Sequence, residues 1–171
     1  FFKQAGDLIF LVGETFDELG GSEYLKLIHH KVEGPIPKID LEKEKLTQSF
    51  VMQAIRKGFV KSAHDLSEGG LAVSVAESCI TGSNLFGAAL EASPKICPEA
   101  FLFGESQSRV ILSIDPKNKK LFLELATKLQ CVVEEIGIVQ NNPVLSISSF
   151  IHINCQDLQK KWQSGLDQIV N

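Results

Sequence analysis

The sequence predicts an α+β fold, with helices packed on a mixed, mainly antiparallel sheet. Three observations predict it. Short apolar runs of strand length recur along the 171 residues, each bounded by glycine, proline or a polar cluster. Between them lie segments with apolar residues at helical spacing and recognisable start and stop signals. Several links between strands are too short for the crossovers that a uniform parallel sheet needs.

The first strand is Leu8-Ile9-Phe10-Leu11-Val12, and the glycine pair Gly20-Gly21 then precedes a short helix. Gly34-Pro35-Ile36-Pro37 is a rigid, turn-rich link rather than a domain boundary, because helix-forming sequence follows at once. Leu41 to Gly58 sets Leu46, Phe50 and Ala54, with Val51 and Ile55, on adjoining faces, and Gly58 stops this amphipathic helix. Phe59 to Ala63 reads as a short buried strand and Leu71 to Cys79 as a helix of small or apolar residues. Gly82-Ser83-Asn84 turns the chain into Leu85 to Glu91, and Pro94 to Phe103 reads as a short helix interrupted by Pro98. Strand Arg109 to Ile114 comes next. Asp115-Pro116 starts a helix, with Asp as N-cap, Pro at the first position, and Leu121, Phe122, Leu125, Ala126 and Leu129 as its inward stripe. Val132 to Val139 is a strand, Val144 to Ile153 one or two more, and Gln156 to Val170 a terminal helix carrying Trp162, Leu166 and Ile169.

Composition narrows the function classes. The hydrophobic fraction of 44% and mean hydropathy of +0.08 fit one globular domain spanning residues 1–171. The net charge of −4 with scattered lysines leaves no basic stripe for nucleic acid. Apolar runs fall far short of the roughly 20 residues that a membrane span requires, and no signal peptide is visible. Cys79, Cys97, Cys131 and Cys155 form no CxxC pair, so metal and disulfide frameworks are disfavoured and a cytoplasmic location is favoured. Adjacent His29 and His30 point in different directions on a helix and read as surface residues near its end. The chain opens on Phe1-Phe2 and almost at once enters a strand, so it reads as part of a longer protein.

Three polar segments stand out. Ser62 to Leu71 packs an imidazole, two carboxylates and two hydroxyls (His64, Asp65, Glu68, Ser62, Ser67) into a turn that opens a helix, and Gly69-Gly70 leave the helix mouth uncovered. A phosphate approaching such a mouth would meet unpaired N–H groups and a favourable dipole. The plain alternative is an ordinary capped helix, with Asp65 or Ser67 as N-cap. The second segment, Gly13 to Tyr24, repeats the signature with Gly20, Gly21 and Ser22, but has neither a Walker ending nor GxGxxG spacing. The third, Gly104-Glu105-Ser106-Gln107-Ser108-Arg109, precedes a buried strand that would hold Glu105 and Gln107 rigidly. Its alternative is a polar strand start in which Arg109 pairs with Glu105.

In order, spacing and flanking strands, Asp17 to Tyr24, His64 to Leu71 and Phe103 to Arg109 resemble the C-terminal domain of the phosphoribosylformylglycinamidine synthase family. The resemblance covers essentially the whole chain and is to the small, multi-subunit form of the synthetase subunit. It implies a fold like that of the AIR synthase C-terminal domain. It also implies a ligase of purine biosynthesis, in which ATP phosphorylates the amide oxygen of formylglycinamide ribonucleotide and ammonia from a separate glutaminase displaces the phosphate. Magnesium and ATP are the implied cofactors. The implied partners are the remaining domains of the synthetase subunit, the glutaminase subunit and a small accessory subunit.

The family's catalytic histidine and main ATP contacts lie in other domains, so the resemblance implies no catalytic residue here and an inactive fragment. The candidate nucleotide- or substrate-binding residues are Gly20, Gly21, Ser22, His64, Asp65, Ser67, Gly69, Gly70, Glu105, Ser106 and Gln107. Residues matching Asp65 hold magnesium, and those matching the Glu105-Ser106-Gln107 triplet contact substrate, in the first copy of this domain. In this second copy the site is either reacting or a structural nucleotide site. The alternatives are another superfamily member, such as aminoimidazole ribonucleotide synthetase or selenophosphate synthetase, and a non-catalytic assembly module. The run Glu105 to Arg109 after Phe103 argues against the two synthetases.

Overall fold

Alternation along one strand sets the layering. In the computed structural model, which describes residues 1–91 and 95–165, β1 (Leu8–Val12) sends Ile9 and Leu11 into one core and Phe10 and Val12 into another. The two-residue period of a strand requires this once both faces are covered. Antiparallel β4 (Val110–Ile114) and β5 (Val133–Gln140) flank β1. With β2 (Val60–Asp65), β3 (Gly87–Leu90), β6 (Val144–Ile147) and β7 (Ile151–Asn154), the sheet order is β2-β4-β1-β5-β3-β6-β7. Among the described residues only β3 and β6 pair in parallel, so the sheet is mixed and mainly antiparallel.

Each face has its own helices. Helices α2 (Leu41–Arg56) and α5 (Lys119–Lys128) cover the Phe10 side, where the Phe122 ring lies 4.8 Å from Phe10 and 5.1 Å from Phe50 between centroids. Each such buried ring contributes on the order of 1.5–3 kcal/mol by leaving water. Helices α3 (Gly70–Ile80), α4 (Pro98–Phe103) and α6 (Cys155–Ser164) cover the Ile9 side through Leu71, Val75, Phe101 and Cys155. The short α1 (Glu23–His29) buries no residue of its own and leans on α4 by stacking Tyr24 on Phe103 at 4.9 Å. His29 and His30 are exposed at its end, and His30 is the left-handed cap.

One connection depends on a missing side chain. Strands β5 and β6 follow each other closely in the chain yet sit on opposite sides of β3, so the link Asn141 to Pro143 crosses the start of β3. That start is Gly87, where a Cβ would lie 2.0 Å from the Asn142 carbonyl oxygen. Only glycine leaves the crossing its space.

The structure departs from the sequence reading at several element ends. Strand β2 runs on to Asp65, because Asp65 pairs with Val110 and the Leu66 N–H donates to the Arg109 carbonyl, so His64 and Asp65 are ladder residues rather than turn residues. Pro98 starts α4 instead of interrupting it, since a missing N–H costs nothing at a first helical position. Pro94 lies outside the described residues. Asp115 accepts from the Lys117 N–H and caps a 3₁₀ turn, Pro116–Asn118, which leads into α5. The stretch Val144 to Ile153 resolves into two strands. Leu46, Ile55, Leu121 and Trp162 point outward, because helical spacing chooses a stripe without saying what covers its edges. Leu166 and Ile169 lie outside the described residues.

Candidate functional site

Register brings the three polar segments together. Val12 and Asp65 both pair with Val110, so the ends of β1 and β2 meet the start of β4 at one end of the sheet. Gly13 to Ser22, Leu66 to Gly70 and Gly104 to Arg109 therefore form one cluster of loops. Two glycines permit the contact: a Cβ on Gly13 would lie 2.2 Å from the Ser108 carbonyl oxygen, and one on Gly70 2.5 Å from that of Gly104.

The helix mouths that the sequence reads as uncovered are covered. Gly69 and Gly70 are buried, and the Glu105 carboxylate reaches both helix starts, with Oε1 accepting from the Glu23 N–H and the Gly69 N–H, each at 2.9 Å. Neither Asp65 nor Ser67 caps α3: its N-cap is Gly69, with no side-chain bond, and Ser67 is exposed with its carbonyl accepting from Gly70 N–H. A carboxylate near helix N-termini is electrostatically favoured. Ser22 caps α1, accepting from the Leu25 N–H and donating to the Leu19 carbonyl at 2.6 Å. Gly20 lies tight under the Gly34-Pro35 backbone.

Ser106 is fully buried, and its hydroxyl accepts from the Phe16 N–H at 3.2 Å. Gln107 is exposed and donates back to the Glu105 carbonyl at 3.1 Å. His64 places Nδ1 2.7 Å from the Asp65 carbonyl and Nε2 3.1 Å from the Glu77 carboxylate, so the ring ties β2 to α3. Asp65 is exposed at the end of the edge strand.

Two of the grooves at this end are lined by the candidate residues. One of about 250 Å³ is lined by Gly13, Phe16, Lys38, Lys43, Gln107 and Cys131. The other, about 570 Å³, runs along α2 between Val51, Met52, Ile55, Arg56, Asp65 and Gln107. Gln107 lines both, Asp65 lines the second, and Glu105 and Ser106 line neither. Among the described residues no group of three or more His, Cys, Asp and Glu is placed to hold a metal ion. All four cysteines are free. Cys79 and Cys155 touch in the core, where that contact, and then burial, raise the Cys79 thiol well above its ordinary value, and burial pushes Cys131 up to about 11.

Sequence reasoning missed Arg109 except as a partner for Glu105. The side chain is 2% exposed and points elsewhere: Nε donates to the Ser106 carbonyl at 2.9 Å, Nη1 to Thr15 Oγ1 at 3.2 Å, and Nη2 to the Gly104 carbonyl. Burial lowers its pKa to about 10, with Glu18 and Glu105 pulling the other way. An arginine directly before a five-residue apolar strand was the available signal, since a cation there must be buried with partners. Glu77, the partner of His64, carried no signal in the sequence.

Known proteins agree with this architecture. Residues 4–149 match the family described as AIR synthase related protein, C-terminal domain. The chain is 36% identical over 168 residues to the phosphoribosylformylglycinamidine synthase subunit PurL of Moorella thermoacetica, a match that takes in 96% of the chain and 23% of that protein. The chain thus spans about a quarter of the length of this relative. Two solved structures share the fold at 21% identity: PurL of T. maritima complexed with FGAR, with a TM-score of 0.76 over 91% of this chain and 28% of that one, and the same protein complexed with ATP, with 0.70 over 92% and 26%. Described from its strands upward and matched over most of its length, the chain belongs to the AIR synthase related protein C-terminal domain family.

Proposed function

We propose that this chain is the C-terminal domain of an ATP-dependent ligase that converts formylglycinamide ribonucleotide to formylglycinamidine ribonucleotide. The observation that carries the reading is the 36% identity to a PurL subunit across 96% of the chain. The gathering of all three polar segments at one sheet end supports it. An amide oxygen is a poor leaving group, and phosphorylation converts it into a good one that ammonia can displace. The rest of the synthetase subunit supplies the reacting groups, and a glutaminase subunit and a small accessory subunit complete the assembly. The work is cytoplasmic, where the four free thiols stay reduced.

This domain's share is to line a nucleotide or phosphate site and to pack against the other domains. Gln107 and Asp65 are the candidate residues that line its grooves there. Asp65 offers a single carboxylate, which fits magnesium's habit of taking one or two protein carboxylates beside waters and phosphates. Bound there, magnesium would offset triphosphate charge. Internal use of Glu105 and Ser106 favours a structural nucleotide site over a second reacting centre.

The test is the complete protein with formylglycinamide ribonucleotide, ATP, magnesium and an ammonium salt, read by mass spectrometry. Amidine product is the expected result, and its absence would overturn the reaction. Asp65→Asn then separates the two versions of the site. For a structural site, nucleotide retention falls and kcat stays within a few fold; for a reacting site, kcat falls about a hundredfold, on the order of 3 kcal/mol in barrier.

A further inference from the structure

The carbonyls that Arg109 holds belong to Gly104 and Ser106, the residues on either side of Glu105. A planar guanidinium offers donors in a fixed fork, so gripping both carbonyls sets the direction of the Gly104–Glu105 and Ser106–Gln107 peptide planes, which enclose the turn carrying Glu105. Its third contact, to Thr15 Oγ1, anchors the same turn to the loop after β1, and the Phe16 N–H from that loop holds Ser106. The turn is therefore fixed from within by one buried cation. From it, one carboxylate oxygen reaches backbone donors 82 and 36 residues away in the chain.

We infer that Arg109 is a positioning residue: it shapes the Gly104 to Gln107 turn so that the Glu105 carboxylate spans the starts of α1 and α3, leaving Gln107 as the triplet member that faces a ligand. Glu105 and Ser106 are then holding groups, with Glu105 Oε1 and the Ser106 hydroxyl accepting from the protein's own N–H donors. The inference goes beyond the ligase reading, and only the ligand-facing role of Gln107 rests on it. Lysine cannot replace Arg109, because an ammonium lacks the fork that reaches two carbonyls at once.

The experiment is nuclear magnetic resonance of this chain, reading couplings across hydrogen bonds from the Glu23 and Gly69 amide nitrogens to the Glu105 carboxyl carbon. Wild type should show both couplings. Arg109→Met should lose both while the β1–β4 couplings at Phe10 and Leu112 persist, and a variant that keeps both couplings overturns the inference. If Arg109→Met does not fold, Arg109→Lys decides in the same way: loss of the two couplings supports the assignment, and their retention defeats it. As a second reading, Arg109→Met and Glu105→Ala combined should lower the melting temperature by clearly less than the sum of the single changes. Additive losses would show two unrelated contacts. No substrate enters these measurements, so a missing amidine product would leave the assignment standing.

Discussion

The two ends of the sheet both bury charge, and they use it differently. At the far end, Lys61 at the start of β2 donates to the Asp7 carboxylate at 2.7 Å and lies 3.6 Å from Asp115, itself 3.0 Å from Lys117, so acids and bases pair with one another. At the site end, Glu105 and Arg109 turn away from each other and bind backbone groups of three loops. Pairing of opposite charges suits strand ends whose positions the ladder already dictates. Bonds from charge to backbone suit loops, whose unpaired N–H and C=O groups must be satisfied somewhere.

The largest effect that would break this contrast is expected at Arg109. Arg109→Met leaves two buried carbonyls without donors and should cost about 3 kcal/mol, a fall in melting temperature of roughly 6–12 °C. Urea unfolding checks it, and a change under about 1 kcal/mol would mean that the loop is held by other contacts. Next comes Glu105→Ala, which strands the Glu23 and Gly69 N–H groups and should cost about 1–3 kcal/mol.

A smaller, pH-dependent effect belongs to the far end. Burial raises the Asp7 pKa against the opposing pull of Lys61, and one carboxylate oxygen is buried without a hydrogen-bond partner among the described residues. A raised folded pKa contributes stability below the ordinary carboxylate value and loses it as pH rises through the folded value. Asp7→Asn has no such loss. Its melting temperature should therefore gain on wild type as pH rises from the ordinary carboxylate value through the raised one, and a constant gap would refute the sign. Smallest of all, Lys43→Ala removes an exposed contact to Glu14 and should leave the melting temperature unchanged within error.

Much of the fold was legible because it is local. The runs Leu8 to Val12 and Val110 to Ile114 announce strands, the apolar run after Gly70 announces a helix, and Asp115-Pro116 announces a helical start. The convergence of the three polar segments was less accessible, since it follows from antiparallel register rather than from any one stretch. How Glu105 is used was hidden altogether. Its partners lie 82 and 36 residues away, and a glutamate that closes two helix mouths reads in sequence like one that awaits a ligand. The outward aliphatics on α2, Leu46, Met52 and Ile55 among them, follow the same logic: periodicity names a face, and only the packed structure tells whether anything lies against it.

The crossing at Gly87 bears on the order in which the chain assembles. Strands β5 and β6 arise consecutively but are separated by β3, made some fifty residues earlier in sequence terms. A hairpin closed directly between β5 and β6 would fill the slot that β3 must occupy. Placing β3 between β5 and β6 is a long-range pairing step, of the kind that slows folding more than local helix formation does. A side chain at Gly87 would collide with the Asn142 carbonyl of the finished crossing, so the entry of β3 into its slot depends on this one glycine.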